Sequence, residues 1–311
     1  MKVLVTGATG LIGRKVVDRL RQARFDVQIV SRQPERFAAG EDAVPLPGID
    51  APDEAFLALM RDVMHVVHCA ALNNDRTAGG EADYQAVNAA LTGRLARAAA
   101  AHAAGRFVYL SSIRAVAGPG FSGTIDEATP PAPQCVYGRS KREAEIEMLE
   151  AYAGREDATA LRLPPVHGEG MKGNMAALMR LADTALPLPT GALTGVKSPL
   201  SCEAAAGAVL HLLTRRGPLR PAYVAGSADA VSMREIMTAL RQGFGRSPRL
   251  FPMPRPPLAL ATTLLGKGAA WQALTATQIC DPSLLVSEGW EAETDTLGQL
   301  RDLARKAAQV R

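Results

Sequence analysis

The residues Thr6-Gly7-Ala8-Thr9-Gly10-Leu11-Ile12-Gly13 stand directly behind the apolar run Val3-Leu4-Val5 and ahead of apolar positions that repeat at helical spacing. A strand, a glycine turn and a helix in that order build a seat for the pyrophosphate of a dinucleotide, because the unpaired amides and dipole of a helix N-terminus favour an anion. The glycines have separate tasks. Gly7 lets the chain turn off the strand, Gly10 lets backbone approach phosphate with no Cβ between them, and Gly13 lets the helix pack close to the sheet. Leu11, Ile12, Val16, Val17 and Leu20 give the helix one buried face, and a strand near Phe25 to Val30 completes a βαβ unit.

With 311 residues the chain can bury a large core, and 47% hydrophobic with 21% charged residues describes an ordinary globular protein. The net charge of +4, from 35 basic and 31 acidic residues, is spread along the chain and suits an anionic small ligand. There is no basic run interleaved with aromatics, so nucleic acid is not an expected partner. Cys69, Cys135, Cys202 and Cys280 form no CxxC pair and have no neighbouring histidine cluster, which argues against a zinc site and a disulfide framework; no metal is expected. The longest apolar runs are alanine-rich, interrupted by charge and too short to span a membrane, and the first strand begins at residue 2 with no room for a leader. The expectation is a cytoplasmic protein with no membrane partner.

Residues 1 to 163 alternate short apolar runs with helical patterns, the sequence form of an α/β, Rossmann-type, doubly wound parallel sheet. Strands are expected at Lys2 to Val5, Val27 to Val30, Val63 to Cys69, Phe107 to Leu110 and Ala158 to Leu163, with a long helix over Glu81 to Ala104 stopped by Gly105. After Leu163 the chain is punctuated by Pro164, Pro165, Gly168, Gly170 and Gly173. Residues 164 to 311 are expected to form mainly a smaller C-terminal substrate lobe, with some segments returning to the sheet. Loops beyond the carboxyl ends of parallel strands are where such sheets bind ligands.

Tyr137-Gly138-Arg139-Ser140-Lys141 opens a strongly helical stretch, and positions four apart lie on one helix face. An ammonium beside a phenol favours the phenolate, so Tyr137 and Lys141 form an acid–base device for a hydroxyl proton. Upstream, the strand Phe107-Val108-Tyr109-Leu110 ends at Ser111-Ser112, where a hydroxyl can hold the reacting oxygen of a substrate against the tyrosine. The sequence leaves both serines open, with Ser112 favoured. At the end of the second strand, Ser31-Arg32 stands where an NAD site commonly has a carboxylate for the adenosine ribose, and Arg36 follows one turn later. A guanidinium there favours the extra phosphate of NADP, so NADP(H) is preferred over NAD, with stacking of Arg32 on adenine or simple exposure as alternatives.

The chain resembles the extended short-chain dehydrogenases/reductases, and within them the NAD-dependent epimerase/dehydratase group. The resemblance rests on TGATGLIG at 6–13, VVHCAA at 66–71, VNAALTG at 87–93, FVYLSSIRAVAG at 107–118, YGRSK at 137–141 and LRLPPVHGEG at 161–170. KGNMAALMRLA at 172–182 and DPSLLVSEGW at 281–290 extend it towards the sugar-nucleotide branch, whose substrates are UDP-hexose-like. The resemblance implies that Ser112, Tyr137 and Lys141 are the catalytic set, with Lys141 also on the nicotinamide ribose. It implies that Ala70, Ala71, Pro164 and Val166 pass close to an NAD(P) cofactor, and that Asn88 has a structural role. It further implies that Asn174 and Lys197 contact the substrate and that a homodimer forms through the helices following Asn88 and Tyr137.

In that branch the position of Lys197 usually holds arginine, that of His167 tyrosine, and that of Cys202-Glu203 an Asp-Asn pair. The substrate is therefore expected to be a small molecule, either a nucleotide-sugar handled by an epimerase or dehydratase, or a carbonyl compound reduced by NADPH. A catalytically silent, cofactor-binding assembly or sensor subunit is a third reading.

Overall fold

The computed structural model of the chain describes residues 1–72, 80–191, 193–264, 266 and 268–309. The first half runs β1 (Lys2–Thr6), α1 (Leu11–Gln22), β2 (Asp26–Ser31), β3 (Ala43–Pro45), α2 (Asp53–Leu59), β4 (Val63–His68), α3 (Glu81–Tyr84), a π-helical segment (Gln85–Ala90), α4 (Leu91–His102), β5 (Phe107–Ser112), β6 (Gly123–Ile125), α5 (Val136–Ala151) and β7 (Ala158–Leu163). There follow β8 (Val166–His167), α6 (Gly173–Ala182), β9 (Val196–Lys197), β10 (Leu200–Ser201), α7 (Cys202–Thr214), β11 (Ala222–Val224), β12 (Val231–Ser232) and α8 (Met233–Gly243). The last elements are α9 (Arg255–Leu264), α10 (Gly268–Thr275), β13 (Gln278–Cys280), α11 (Ser283–Ser287) and α12 (Thr296–Gln309).

Seven strands form one sheet in the order β11-β7-β5-β4-β1-β2-β3, and every neighbouring pair is parallel. Alternate side chains sort to the two faces, as a strand's period of two requires. Val3, Val5, Val67, Val108, Leu110 and Leu161 pack under α1 and α7. Leu4, Val66, Phe107, Tyr109 and Ala160 pack under α2, α4 and α5 on the other side. The expected doubly wound α/β architecture is therefore present, and its order reverses between β1 and β4. A smaller sheet, β12-β9-β13-β6, takes three strands from the second half of the chain and β6 from the first, and a separate apolar core of Met175, Leu178, Ile236, Met237, Leu240 and Leu300 lies in the second half. No helix among the described residues is long and apolar enough to cross a membrane.

Three details differ from the sequence expectation. The predicted single helix over Glu81 to Ala104 is α3, a π-helical segment and α4 in succession, and Ala103 is already extended with ψ at 128°. The wider segment brings Asn88 to a position where its Oδ1 accepts from the Leu72 amide at 2.7 Å and its Nδ2 donates to the Leu72 carbonyl at 3.1 Å and Ser140 Oγ at 2.9 Å. Gly105 stops no helix; its amide donates to the Met64 carbonyl at 2.9 Å, and a Cβ there would lie 2.4 Å from the His65 ring. The short strands β3 and β11, each three residues long, carry too little pattern to be read from sequence.

Beneath the carboxyl edge of the sheet, Arg162 of β7 grips Glu145 of α5 with both arms, Nε to Oε1 at 3.0 Å and Nη2 to Oε2 at 2.9 Å. Ser111 of β5 donates its hydroxyl to the same Oε1 at 2.6 Å. Arg162 is 5% and Glu145 1% exposed, and Arg142 Nη1 also donates to Glu145 Oε2 at 2.9 Å from a half-buried position, so removing Arg162 leaves the carboxylate with a single, more exposed cation in a low dielectric. Arg162→Met is expected to lower the unfolding free energy by about 3 kcal/mol, read as a lower urea midpoint at unchanged slope. Arg97→Met, at the solvent-exposed pair with Glu147, is expected to cost less than about 1 kcal/mol in the same assay.

Candidate active site

The glycine turn sits at the switch point of the sheet. Gly7 has φ of +71°, and a Cβ on it would lie 2.6 Å from the Ala70 amide nitrogen, so only glycine lets the ends of β1 and β4 come this close. A Cβ on Gly13 would lie 2.1 Å from the Gly7 carbonyl oxygen, which is the close helix–turn packing anticipated for that residue. Gly10 is the N-cap of α1 and makes no side-chain cap, leaving the first amides of the helix facing the groove. Thr6 supports the turn from below: its hydroxyl accepts from the Ala70 amide at 3.2 Å and lies 2.6 Å from His68 Nδ1. His68 is wholly buried, and desolvation pushes its pKa down to about 3, so it is a neutral strut.

Two cavities flank this turn and share Gly7, Thr9, Gly10 and Ala71 in their walls. The outer one, of about 390 Å³, is lined by Ser31, Arg32, Ala70 and Leu72 among others, with no Asp or Glu among the described residues. Ser31 Oγ accepts from the Gln33 amide at 3.1 Å, and Arg32 is exposed at the rim. The inner one, of about 460 Å³, is lined by Leu11, Ile12, Gly13, Ser112, Tyr137, Lys141, Pro164 and Val166. A groove with a helix N-terminus at its waist and glycine walls fits a dinucleotide stretched across the strand ends.

The serine, tyrosine and lysine come from two elements held by the Glu145 lock. Ser112 ends β5, Tyr137 lies in the first turn of α5, and Lys141 follows one turn later on the same face. Cys135 caps α5, its Sγ accepting from the Gly138 amide at 3.3 Å. The two serines are separated by their partners. Ser111 is buried with its hydroxyl committed to Glu145, whereas Ser112 Oγ accepts from the Arg114 amide at 3.2 Å and keeps its proton to donate into the cavity.

Lys141 is 3% exposed. Its Nζ donates to the Tyr109 hydroxyl at 3.0 Å and the Leu110 carbonyl at 2.6 Å and lies 6.0 Å from the centroid of the Tyr137 ring. Burial pulls its pKa down from 10.5 to about 7, with Cys69 and Glu145 acting in the opposite direction.

A third cavity, of about 250 Å³, adjoins the second and shares Ser112, Tyr137, Pro164, Val166 and Lys172 with it. Asn174, at the start of α6, lines this space. Lys197 does not. It is 7% exposed in β9, its Nζ donates to the Ala276 carbonyl, and it stands behind Arg114 across Gln278 rather than in the cavity wall. Burial first, then the Arg114 charge, lowers the Lys197 pKa to about 8. His167 is also buried, lowered to about 4 by desolvation, and lines none of these cavities.

Three cations that the sequence reading missed stand in the walls: Arg14, Arg114 and Lys172. Arg14 directly follows the glycine turn and donates to the Glu169 carbonyl, tying the loop after β8 to α1. Position alone was the available signal, since each sits one or two residues from a motif residue.

Comparison with known proteins places the chain in a family. The family described as NAD dependent epimerase/dehydratase matches residues 3–215. The UDP-glucose 4-epimerase of Vibrio cholerae is 29% identical over 291 residues, covering 90% of this chain and 87% of its own. The 3-diazoavenalumate denitrifying reductase of Streptomyces is 30% identical over 304 residues, covering 94% and 96%. Among solved structures, MoeE5 in complex with UDP-glucuronic acid and NAD superposes with a TM-score of 0.76 at 23% identity, covering all of both chains. The chain belongs to the NAD-dependent epimerase/dehydratase family, within the extended short-chain dehydrogenases/reductases.

Proposed function

We propose that this enzyme acts on a nucleotide-sugar of UDP-hexose type as an epimerase or dehydratase, with Ser112, Tyr137 and Lys141 as its catalytic residues. The observation that carries the reading is the convergence of these three on one cavity that also contains the glycine turn and opens onto Asn174. The bound dinucleotide supplies the hydride chemistry at the substrate carbon. Tyr137 exchanges the proton of the hydroxyl on that carbon, and Ser112 donates a hydrogen bond to the same oxygen. Lys141 has three N–H donors; two are spent on Tyr109 and Leu110, and the third remains for the ribose side of the groove. Its positive charge steadies the negative charge that develops on the tyrosine oxygen. Gly7, Thr9, Gly10, Leu11, Ile12 and Gly13 hold the pyrophosphate, and Ala70, Ala71, Pro164 and Val166 shape the walls on either side.

A second reading, an NADPH-dependent carbonyl reductase, draws support from the outer cavity, where Ser31 and Arg32 stand with no carboxylate among the described residues of the wall. Arg32 and Ser31 suit a ribose phosphate, which favours NADP(H) over NAD in either reading. The similarity to a reductase over nearly the full chain supports it as well. Against a silent assembly or sensor subunit stands Lys141, whose burial a purely structural protein has no reason to keep.

Three outcomes test these assignments. Tyr137→Phe is expected to fold and bind nucleotide but to lose turnover by about 100-fold or more; unchanged turnover rejects the acid–base role. Nucleotide released on denaturing the freshly purified protein is expected to be NADP(H), and Arg32→Ala to weaken NADPH by about tenfold with NADH unaffected. Retained NAD in the wild type overturns the preference for NADP. Lys141→Met is expected to raise the melting temperature of the nucleotide-free protein at pH 7 by a few degrees. Because the folded pKa, about 7, lies below the 10.5 of the free side chain, the unfolded wild type binds the extra proton between those values. Wild-type stability therefore rises with pH across that window, and the advantage of the methionine variant shrinks towards its upper end.

A further inference from the structure

We infer that the substrate carries a carboxylate, or an equivalent anion, close to its reacting carbon, and that Arg114 is the residue that receives it. This rests on the reading of Ser112 and Tyr137 as the reacting centre and names what lies beside it. Arg114 is two residues beyond Ser112 and shares with it the wall of the 250 Å³ cavity; Lys172 and Asn174 line the same space. Among the described residues no Asp or Glu lines this cavity or the inner half of the groove, and the charged side chains in their walls are cationic.

The guanidinium is half-buried and fixed in place. Its Nη1 donates to the carbonyls of Ala117 at 3.2 Å and Gly118 at 2.8 Å, and Nη2 donates to Gln278 Oε1 at 3.0 Å. These bonds use three of five N–H donors and all go to neutral acceptors, so that among the described residues Nε and one proton of Nη2 are left for a ligand. Arg162 grips Glu145 with that same pair of nitrogens. Among the described residues no carboxylate lies within ion-pair distance of Arg114.

Lys197 adds a second buried cation behind it, and its own partner is a backbone carbonyl. Two cations drawn out of water with no counter-charge are costly, and the cost is offset when an anion arrives with the substrate. A planar two-oxygen anion matches the vacant edge of the fork, which selects carboxylate geometry. The Ser112 hydroxyl, bonded to the Arg114 amide itself, would hold the reacting oxygen next to that anion.

The test compares two ligands that differ only in this group. Cofactor-loaded protein is titrated with UDP-glucuronate and with UDP-glucose, in the wild type, Arg114→Gln and Arg114→Lys. UDP-glucuronate is expected to bind the wild type at least about tenfold more tightly. The ratio is expected to collapse towards one in Arg114→Gln and to be intermediate in Arg114→Lys, which keeps the charge and loses the fork. Equal affinities in the wild type, or a ratio that survives in both variants, overturn the inference.

If neither UDP-sugar binds, the nucleotide-sugar reading fails, and the same comparison is made by NADPH oxidation with benzoylformate against acetophenone. A preference for benzoylformate that disappears in Arg114→Gln then sustains the carboxylate site. Absence of an Arg114-dependent preference in both pairs overturns it. Should Arg114→Gln lose nucleotide binding through misfolding, Arg114→Lys carries the comparison alone.

Discussion

One buried carboxylate ties the catalytic side of this molecule together. Glu145 accepts from Arg162 on β7 and from Ser111 on β5 while sitting on α5, so two strands and a helix meet at a point with almost no access to water. The tie sets the height and rotation of α5 against the sheet. Ser112 is the next residue after one of its partners, and Lys141 stands one turn before the carboxylate on the same helix face. A tyrosine, a lysine and a serine from separate elements can hold a common geometry only if their elements cannot slide, and a paired charge in a low dielectric resists sliding more than apolar contact does.

The same region carries charges that the fold alone has little use for. Lys141, Arg114 and Lys197 are withdrawn from solvent and rely on neutral acceptors, and His68 and His167 stay neutral close by. Against the well-paired Glu145 and Arg162, these groups mark where the molecule is organised around something other than its own stability. The described walls of the groove and the adjoining cavity carry Arg14, Arg32, Arg114, Lys141 and Lys172 beside glycine and alanine, a set of charges suited to anionic ligands.

Most of the architecture was legible because its signals are local. The turn from Thr6 to Gly13 carries its own strand, breaks and helix, and the pair Tyr137 and Lys141 is one helical turn apart, so both could be read without knowing what lies across from them. Other features depend on partners distant in sequence. The π-helical widening at Gln85–Ala90 accompanies the placement of Asn88 against Leu72 and Ser140, a contact that no periodicity encodes. The position of Lys197 suggested a ligand contact, but its register in β9 beside Gln278 places it behind Arg114. Ser111 and Ser112 are indistinguishable as neighbours in a string and become distinct once alternate residues of β5 face opposite sides of the sheet.

The strand β11 has a consequence for how the protein can be divided. The chain leaves the main sheet after β7, builds α6 and α7, returns to lay Ala222–Val224 along β7, and then leaves again. The outermost strand of the main sheet is thus contributed by sequence that follows part of the second lobe, and with β6 lent to the smaller sheet from between β5 and β7 the chain passes between the two sheets several times rather than once. A fragment cut between Arg216 and Pro221 would uncover the edge of β7, a row of unpaired amides and carbonyls flanked by Ala160 and Leu161, which is the kind of surface that recruits a foreign strand. The two halves of this molecule are therefore interlaced parts of one folding unit, and neither can be excised at the apparent boundary after Leu163 without leaving such an edge.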